Sequence, residues 1–181
     1  MGGIQVAVTV AERARAEIGG HTSPELEAQG QMQEMGRVRD LRAGITWVTG
    51  AYLAVAALGT WVAVRRGLSG RPFGWDLDAS PLPGFVYGLG TALSAPLGLL
   101  VALVTSNVLL WRGLPVARRA AVTIALLGAG FTLGMLVEPI TWDHETWSEP
   151  RLSAIVAANL SLPSMLVLLA AWEWAGCASR E

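Results

Sequence analysis

The sequence contains no lysine, so arginine supplies all 13 of its basic side chains. These arginines are spread along the chain, and the formal net charge is only −1. Proteins that bind nucleic acid electrostatically carry a clustered excess of positive charge, which this chain lacks. We therefore expect no nucleic-acid partner. The exclusive use of arginine is typical of GC-rich coding and favours a bacterial source.

Cysteine is also nearly missing, because Cys177 is the only one in the chain. A single cysteine excludes an intramolecular disulfide, and neither histidine stands at a spacing typical of a metal finger. The phosphate-binding loop, the nucleophile elbow of serine hydrolases and the dinucleotide fingerprint are absent from the sequence. Motifs alone thus identify no metal, cofactor or reaction.

Charged residues make up 15% of the chain, whereas ordinary soluble proteins contain about 25%. Nearly all of them precede Ala43 or fall in short interruptions between apolar stretches. Hydrophobic residues reach 52%. This distribution is typical of an integral membrane protein with one polar N-terminal segment. The lipid bilayer is therefore the first partner that the sequence predicts.

Four apolar runs are long enough to cross a bilayer, which takes about 20 residues of helix. They cover approximately residues 44–64, 82–110, 120–138 and 152–173. Lipid offers the backbone no hydrogen bonds, so such runs must be helical. We predict an all-α, antiparallel four-helix membrane bundle at 44–181, preceded by a cytoplasmic arm at 1–43. The second run is longer than needed, which indicates tilting, a kink near Pro96 or a start outside the bilayer.

The arm contains a pattern typical of a helix start, in which the capping residue Ser23 is followed by Pro24 and Glu25. The apolar residues beyond it predict a short amphipathic helix that lies on the inner leaflet and leads into the first span. Gly30 and Gly36 interrupt the apolar stripe. The alternative is therefore a partly disordered tail.

Arginine asymmetry predicts the orientation, because cytoplasmic loops of membrane proteins are enriched in positive charge. With four spans, both termini lie on the same side of the membrane, and more arginines fall on that side than on the opposite one. Arg65 and Arg66 oppose the trend. We predict cytoplasmic N- and C-termini. The connections at 65–84 and 138–151 then lie at the outer face.

Two pairs of glycines are spaced four residues apart within apolar runs, namely Gly84 with Gly88 and Gly130 with Gly134. Small residues at this spacing let membrane helices approach one another closely. We interpret them as packing sites within the bundle, with a homo-oligomer face as the alternative.

Glu138 is the first candidate catalytic residue, because it follows an unbroken apolar run and precedes Pro139. Ionisable side chains at that depth face a cavity or a partner, and a desolvated carboxyl is suited to act as a general acid. The alternative is an interfacial carboxylate that reaches water or pairs with Arg151.

His144 and Asp143 follow in the same connection, as a candidate base and orienting group for Glu138. A solvated loop histidine is the alternative. Candidate substrate-binding residues have aromatic rings for stacking or polar groups within reach of the outer face; they are Trp75, Asp76, Asp78, Trp142, Trp147 and Asn159. For Asn159, a hydrogen bond between helices is the alternative.

Two classes of function follow from these residues. The first is a small membrane-embedded enzyme or binder that acts on a lipophilic small molecule at the outer face, with an apolar pocket and a few polar groups. The second is a non-catalytic accessory or scaffold subunit of a membrane complex, which would use the glycine faces. A transporter component is a third option, and the chain is short enough that it would need to oligomerise.

Overall fold

A computed structural model describes residues 24–70, 81–87 and 90–178 of the chain. It is helical, and the described residues contain no β-strand, so the predicted all-α class is confirmed. The helices are α1 (Pro24–Arg66), α2 (Pro81–Tyr87), α3 (Leu97–Leu110), α4 (Leu114–Val137), α5 (His144–Ser148) and α6 (Pro150–Ala178), with a 3-10 turn at Pro139–Thr141.

Helix α1 begins at Pro24, as the capping pattern predicts, and continues to Arg66 without interruption. Residues 24–43, where an amphipathic helix leading into the first span is predicted, are the first part of this longer helix, and a position on the inner leaflet stays a prediction. The chain divides into two compact units between Arg39 and Asp40. In the first unit, residues 24–39 are helical.

The second unit is built from helices that alternate in direction. At one end, which we call the Arg42 end, the first α1 residues of this unit lie beside the last turns of α6, and Arg42 donates a hydrogen bond to Glu173. The other, the Arg66 end, contains the end of α1 and the start of α6, joined by Arg66 and Glu149. Helix α3 finishes at the Arg42 end, where the indole nitrogen of Trp111 donates to Thr46. Helix α4 then returns to the Arg66 end.

The core of this unit is formed by small and aliphatic side chains from α1, α3, α4 and α6. Tyr52 of α1 stacks on Phe131 of α4, with ring centroids 5.1 Å apart. Helices α4 and α6 are in extensive contact, and α3 packs beside α4. Alanine recurs at the contacts, at Ala56, Ala121 and Ala170, all fully buried. Such small residues allow the helix axes to come close.

The outward faces of these helices are as apolar as the core. In α4 and α6, only 33% of the most apolar 18-residue window is buried, and the rest of that window points outward. Exposed leucines and valines include Val101, Leu126, Leu133 and Leu168. A soluble monomer rarely exposes apolar surface on this scale. Three helices, α1, α4 and α6, are long and apolar enough to cross a membrane.

The second predicted span differs from the expectation, because residues 82–110 do not form one helix. Helix α2 ends at Tyr87 and α3 begins at Leu97, and residues 90–96 between them, which we call the interrupted segment, are not helical. Between them, Gly90 has a φ of 100° and Pro96 caps α3 in an extended conformation. The left-handed conformation suits glycine, and proline cannot continue a helix that precedes it. Helix α3 has 14 residues and rises about 21 Å, which is too short to span the hydrocarbon alone.

Glycine allows close backbone approach at Gly59 and Gly128, two positions that the spacing pattern did not single out. The backbone of Gly59 contacts the carbonyl oxygen of Leu93, and a Cβ on Gly128 would lie 2.8 Å from the carbonyl oxygen of Pro163. By contrast, Gly130 and Gly134 are exposed, with no described heavy atom within 4 Å of a Cβ. These two do not pack within the described part of the chain. A Cβ on Gly84 would meet Gly90 O at 3.0 Å, and Gly88 lies outside the described residues.

Candidate functional site

A cavity of about 540 Å³ opens at the Arg66 end of the second unit. Five segments line it: the end of α1 with the turn after it, the interrupted segment before α3, the turn after α4, helix α5 and the start of α6. The described lining residues are Arg66, Gly67, Leu68, Ser69, Ala92, Glu138, Pro139, Ile140, Asp143, Glu145, Thr146, Glu149 and Leu152. Both apolar and ionisable side chains therefore face the same space.

An ion pair joins the two sides of this cavity. Arg66 Nη1 and Nη2 donate to the two carboxylate oxygens of Glu149 at 2.7 and 2.6 Å. Such a two-point contact fixes the guanidinium and carboxylate in one plane. The side chains remain 44% and 36% exposed, so water screens the pair. The hydrogen bonds from Arg66 hold the pKa of Glu149 below its ordinary value.

Glu138 contributes the most deeply buried carboxyl of the cavity, with only 8% of the residue exposed. It is the residue at which α4 ends, because Pro139 follows it and begins the 3-10 turn. Its Oε1 lies 3.4 Å from the place that a Cβ on Gly70 would take. Glu138 thus lies at the end of an apolar helix and lines the cavity, and its role as a general acid stays a prediction.

Asp143 also lines the cavity, and its position comes from helix capping. Its carboxylate accepts a hydrogen bond from the Glu145 backbone N–H at 3.2 Å, as an N-cap residue does. The hydroxyl of Thr146 donates to its other oxygen at 3.5 Å. Asp143 thereby anchors α5, a five-residue helix that forms one wall. This contact gives the residue a structural role in addition to its place in the cavity.

The two tryptophans of this connection do not line the cavity. Their indole nitrogens donate to backbone carbonyls, Trp142 to Leu136 and Trp147 to Thr141, each at 2.8 Å. The rings are 70% and 47% exposed. Each ring thus closes the turn after α4 and presents its remaining surface outward, as expected for aromatic residues at a membrane interface.

His144 is exposed at the start of α5 and is not among the residues that line the cavity. It therefore lies apart from the space into which Glu138 faces, while Asp143 and Glu138 share that space. Trp75, Asp76 and Asp78 lie outside the described residues. The described residues also contain no group of three or more His, Cys, Asp or Glu arranged to hold a metal ion.

Asn159 lies behind the cavity floor. Its side-chain amide donates to Leu93 O at 3.0 Å and to Ile155 O at 3.1 Å. Leu93 belongs to the interrupted segment, where the backbone lacks helical partners, and its neighbour Ala92 lines the cavity. Asn159 is 1% exposed, so without it a carbonyl would be buried unsatisfied. The hydrogen bond between segments, which was the alternative to ligand contact, is present.

Comparison with protein-family models, with curated proteins and with solved structures finds no match to this chain. Its function therefore has to be argued from the geometry.

The Arg42 end contains an ion pair that the sequence reasoning did not anticipate. Arg42 Nε donates to Glu173 Oε1 at 2.7 Å, and the side chains are 13% and 1% exposed. The Cys177 thiol lies 3.7 Å from the same oxygen. Glu173 Oε2 is buried and has no hydrogen-bond partner among the described residues. The sequence signal that could have found this pair is Glu173 at the end of the run 152–173, together with Arg42 just before the run 44–64.

A polar cluster accompanies this pair on α1 and α3. Asn107 donates to the Thr49 hydroxyl at 3.1 Å, and the Thr46 hydroxyl lies 3.1 Å from Asn107 Oδ1. Trp111 Nε1 donates to Thr46 at 3.2 Å. Since these groups satisfy one another, they tie α3 to α1 and leave little hydrogen-bonding capacity for a ligand.

Proposed function

We propose that this chain is a multi-pass membrane protein whose cavity opens at the outer face and binds a small molecule with an apolar body. Helices α1, α4 and α6 would each cross the bilayer. Helices α2 and α3, with the interrupted segment between them, would form a fourth crossing. Irregular backbone is tolerated within a membrane where protein buries it, which is the arrangement around Leu93 and Asn159.

The orientation rests on the arginines. In the predicted topology, the inner side is assigned Arg37, Arg39, Arg42, Arg112, Arg118, Arg119 and Arg180, and the outer side Arg65, Arg66, Arg71 and Arg151. Positive charge near helix ends favours the cytoplasmic side. We therefore propose that both termini are cytoplasmic and that the cavity opens at the outer face.

The cavity is the single observation that carries the binding proposal. Its volume of about 540 Å³ falls within the range of small-molecule sites, roughly 300–1,000 Å³. Leu68, Ala92, Ile140 and Leu152 supply apolar contact, while Glu138 and Asp143 supply polar groups. A few polar groups on an apolar wall are the usual composition of a pocket that orients a lipophilic ligand. Because His144 lies outside the cavity, binding is better supported than acid–base catalysis by Glu138 and His144.

Native mass spectrometry of the detergent-extracted protein tests this proposal. We expect a reproducible added mass on the wild-type chain. Ser69→Trp would place an indole inside the cavity and should remove that mass. Ser148→Trp is the matched control, because Ser148 is exposed and does not line the cavity. An added mass that survives Ser69→Trp, or no added mass on any variant, would contradict the proposal.

A second candidate function is that of a scaffold subunit, and the outward glycines of α4 favour it. Gly130 and Gly134 lie one turn apart on one face and leave open space beside the helix. Another helix could pack there closely. If this face assembles the protein, Gly130→Leu should convert a dimer into a monomer in native mass spectra. Gly98→Leu, at another exposed glycine with open space around it, should leave the dimer intact.

A further inference from the structure

We propose that the Arg42 end binds the headgroup of a phosphatidylethanolamine lipid, with Arg42 meeting its phosphate and Glu173 meeting its primary ammonium. This inference goes beyond the cavity, since it concerns the opposite end of the second unit. It rests on the proposed function only for the membrane-spanning arrangement of the helices.

The Arg42–Glu173 pair leaves part of its hydrogen-bonding capacity unused. Arg42 Nε donates to Glu173 Oε1 at 2.7 Å, and Glu173 is the only described residue to which this guanidinium bonds. A guanidinium also carries N–H donors on its two terminal nitrogens. Glu173 Oε2 is buried and has no hydrogen-bond partner among the described residues. The described part of the chain thus supplies neither an acceptor for the terminal nitrogens nor a donor for Oε2.

The pair at the Arg66 end is fully matched by comparison. There, the two terminal nitrogens of Arg66 bond to the two oxygens of Glu149. The one-point contact between Arg42 and Glu173 belongs to the more buried of the two pairs, where an unmatched charged group costs more. A ligand that offers both an acceptor and a charged donor would therefore be stabilised at the Arg42 end.

Tryptophans put this pair at headgroup level in the proposed membrane arrangement. Trp172 and Trp174 flank Glu173 in the chain, and both rings are exposed. Trp111, at the same end, is exposed as well. Indole rings of membrane proteins concentrate where the hydrocarbon meets water. The ligand expected at this depth is therefore a lipid headgroup.

The unmatched groups select ethanolamine among the common headgroups. Phosphate oxygens accept hydrogen bonds from a guanidinium, and a primary ammonium is a compact cation whose N–H groups all donate. Phosphatidylethanolamine carries both, whereas phosphatidylcholine has a trimethylammonium without N–H and phosphatidylglycerol has hydroxyls without a cation. The Glu173 side chain is 1% exposed, so neighbouring side chains must move aside to admit a ligand group. That requirement favours the small primary ammonium over the trimethylammonium.

Native mass spectrometry of the detergent-extracted protein tests the inference, with the three lipids added in turn at equal concentration and with identical acyl chains. We expect phosphatidylethanolamine to bind about tenfold more tightly than phosphatidylcholine, the effect of one hydrogen bond to a charged group. Phosphatidylglycerol should also bind more weakly than phosphatidylethanolamine. Either lipid binding as tightly as phosphatidylethanolamine would overturn the inference.

Variants at the two ion pairs locate the lipid. Arg42→Met combined with Glu173→Leu removes both charges, leaves no unpaired buried charge and should abolish the preference for phosphatidylethanolamine. Glu173→Gln replaces one carboxylate oxygen by an amide nitrogen at nearly unchanged size and should abolish it as well. Glu149→Gln, at the exposed pair, is the matched control and should retain it. A preference that persists in both Glu173 variants would contradict the site.

Three further measurements separate this inference from the proposed function. Ser69→Trp fills the cavity and should leave the lipid preference intact, whereas a lost preference would place the lipid in the cavity and overturn the inference. Glycerophosphoethanolamine, the same headgroup without acyl chains, should not displace an equal concentration of the lipid, and displacement would overturn a lipid as the ligand. Recovery of the chain from cells without detergent would contradict the membrane-spanning arrangement and, with it, the proposed function.

Discussion

At both ends of the second unit an arginine of α1 bonds to a glutamate in or just before α6, but the two pairs have opposite surroundings. Arg66 and Glu149 are 44% and 36% exposed, and they meet in two-point geometry at the cavity. Arg42 and Glu173 are 13% and 1% exposed, and one carboxylate oxygen of Glu173 lacks a partner among the described residues. Exposed pairs contribute little to stability, whereas removing one member of a buried pair is strongly destabilising.

The difference indicates how the two ends are used. At the Arg42 end, buried polar groups fix the contacts between helices. Towards the Arg66 end, α1 and α6 meet the interrupted segment at Leu93 O, which Gly59 contacts and to which Asn159 donates. The charged side chains nearer the end of the unit line the cavity. Charged side chains at the Arg66 end therefore line an open cavity, whereas those at the Arg42 end lie within helix contacts.

The largest expected effect comes from removing one member of the buried pair. Glu173→Leu leaves the Arg42 guanidinium without its carboxylate, and we expect a loss of about 3 kcal/mol in the free energy of unfolding. Unfolding in detergent, monitored by circular dichroism, measures it. Arg42→Met combined with Glu173→Leu should restore most of the stability, since the charge is then gone. Equal losses in the single and double variants would show that the pair is not the cause.

A smaller loss is expected where α1 meets the interrupted segment. In Gly59→Ala the new methyl group would meet Leu93 O, a backbone atom that cannot rotate away. Overpacking of this kind destabilises by about 2 kcal/mol. Gly98→Ala, where the space is open, is the matched control and should be neutral or stabilising in the same unfolding assay. Similar results for the two variants would contradict the contact.

Asn159→Ala should have an effect of about 1 kcal/mol on unfolding, the usual size for hydrogen bonds between membrane helices. The reason is the loss of the donor to Leu93 O. The same variant should speed hydrogen exchange in the segment at 90–96 more than in α4, measured by mass spectrometry. Uniform exchange in both places would mean that Asn159 does not hold this segment.

The smallest effect on stability belongs to the exposed pair, and it depends on pH. Because Arg66 lowers the pKa of Glu149, the pair stabilises the folded state above the ordinary carboxyl pKa of about 4.3. That contribution is lost as the pH falls through the lowered pKa. Thermal midpoints of the wild type and Glu149→Gln should differ slightly near neutral pH and converge in acid. A gap that widens in acid would have the wrong sign.

The helical class was predictable from the sequence because apolar length alone determines it. Three of the six predicted ends of the runs 44–64, 120–138 and 152–173 lie within two residues of a helix end, α4 begins six residues earlier, α6 ends five residues later, and α1 extends much farther towards the N-terminus. A kink near Pro96 was one of the expectations for the long second run, but the extent of the interruption, residues 90–96, was not predicted, because the residues between Gly90 and Pro96 contain no helix breaker. What stops the helix there is Gly90, Pro96 and a carbonyl acceptor that Asn159 satisfies from another helix. A contact between segments so far apart in the chain leaves no local pattern.

The candidate site was partly predictable for the same reason. Glu138 and Asp143 follow from a charge at the end of an apolar run and from the polar connection beyond it. The pairing of Arg66 with Glu149, and of Arg42 with Glu173, depends on which helix ends meet. Whether a glycine packs against another segment, as Gly59 and Gly128 do and Gly130 and Gly134 do not, depends on the rotation of its helix about its axis. The sequence does not reveal that rotation, because apolar residues occupy every face of these helices.

The most direct test of the account is to measure which side of the membrane the Arg66 end faces. Single cysteines at Ser148 and Gly113, in the Cys177→Ser background, report the Arg66 end and the Arg42 end, and both positions are exposed. A membrane-impermeant maleimide is added to right-side-out vesicles before and after permeabilisation. We predict that Ser148→Cys is labelled at once and that Gly113→Cys is labelled only after permeabilisation. The reverse pattern would contradict an outer-face cavity, and labelling of both before permeabilisation would contradict a membrane-spanning chain.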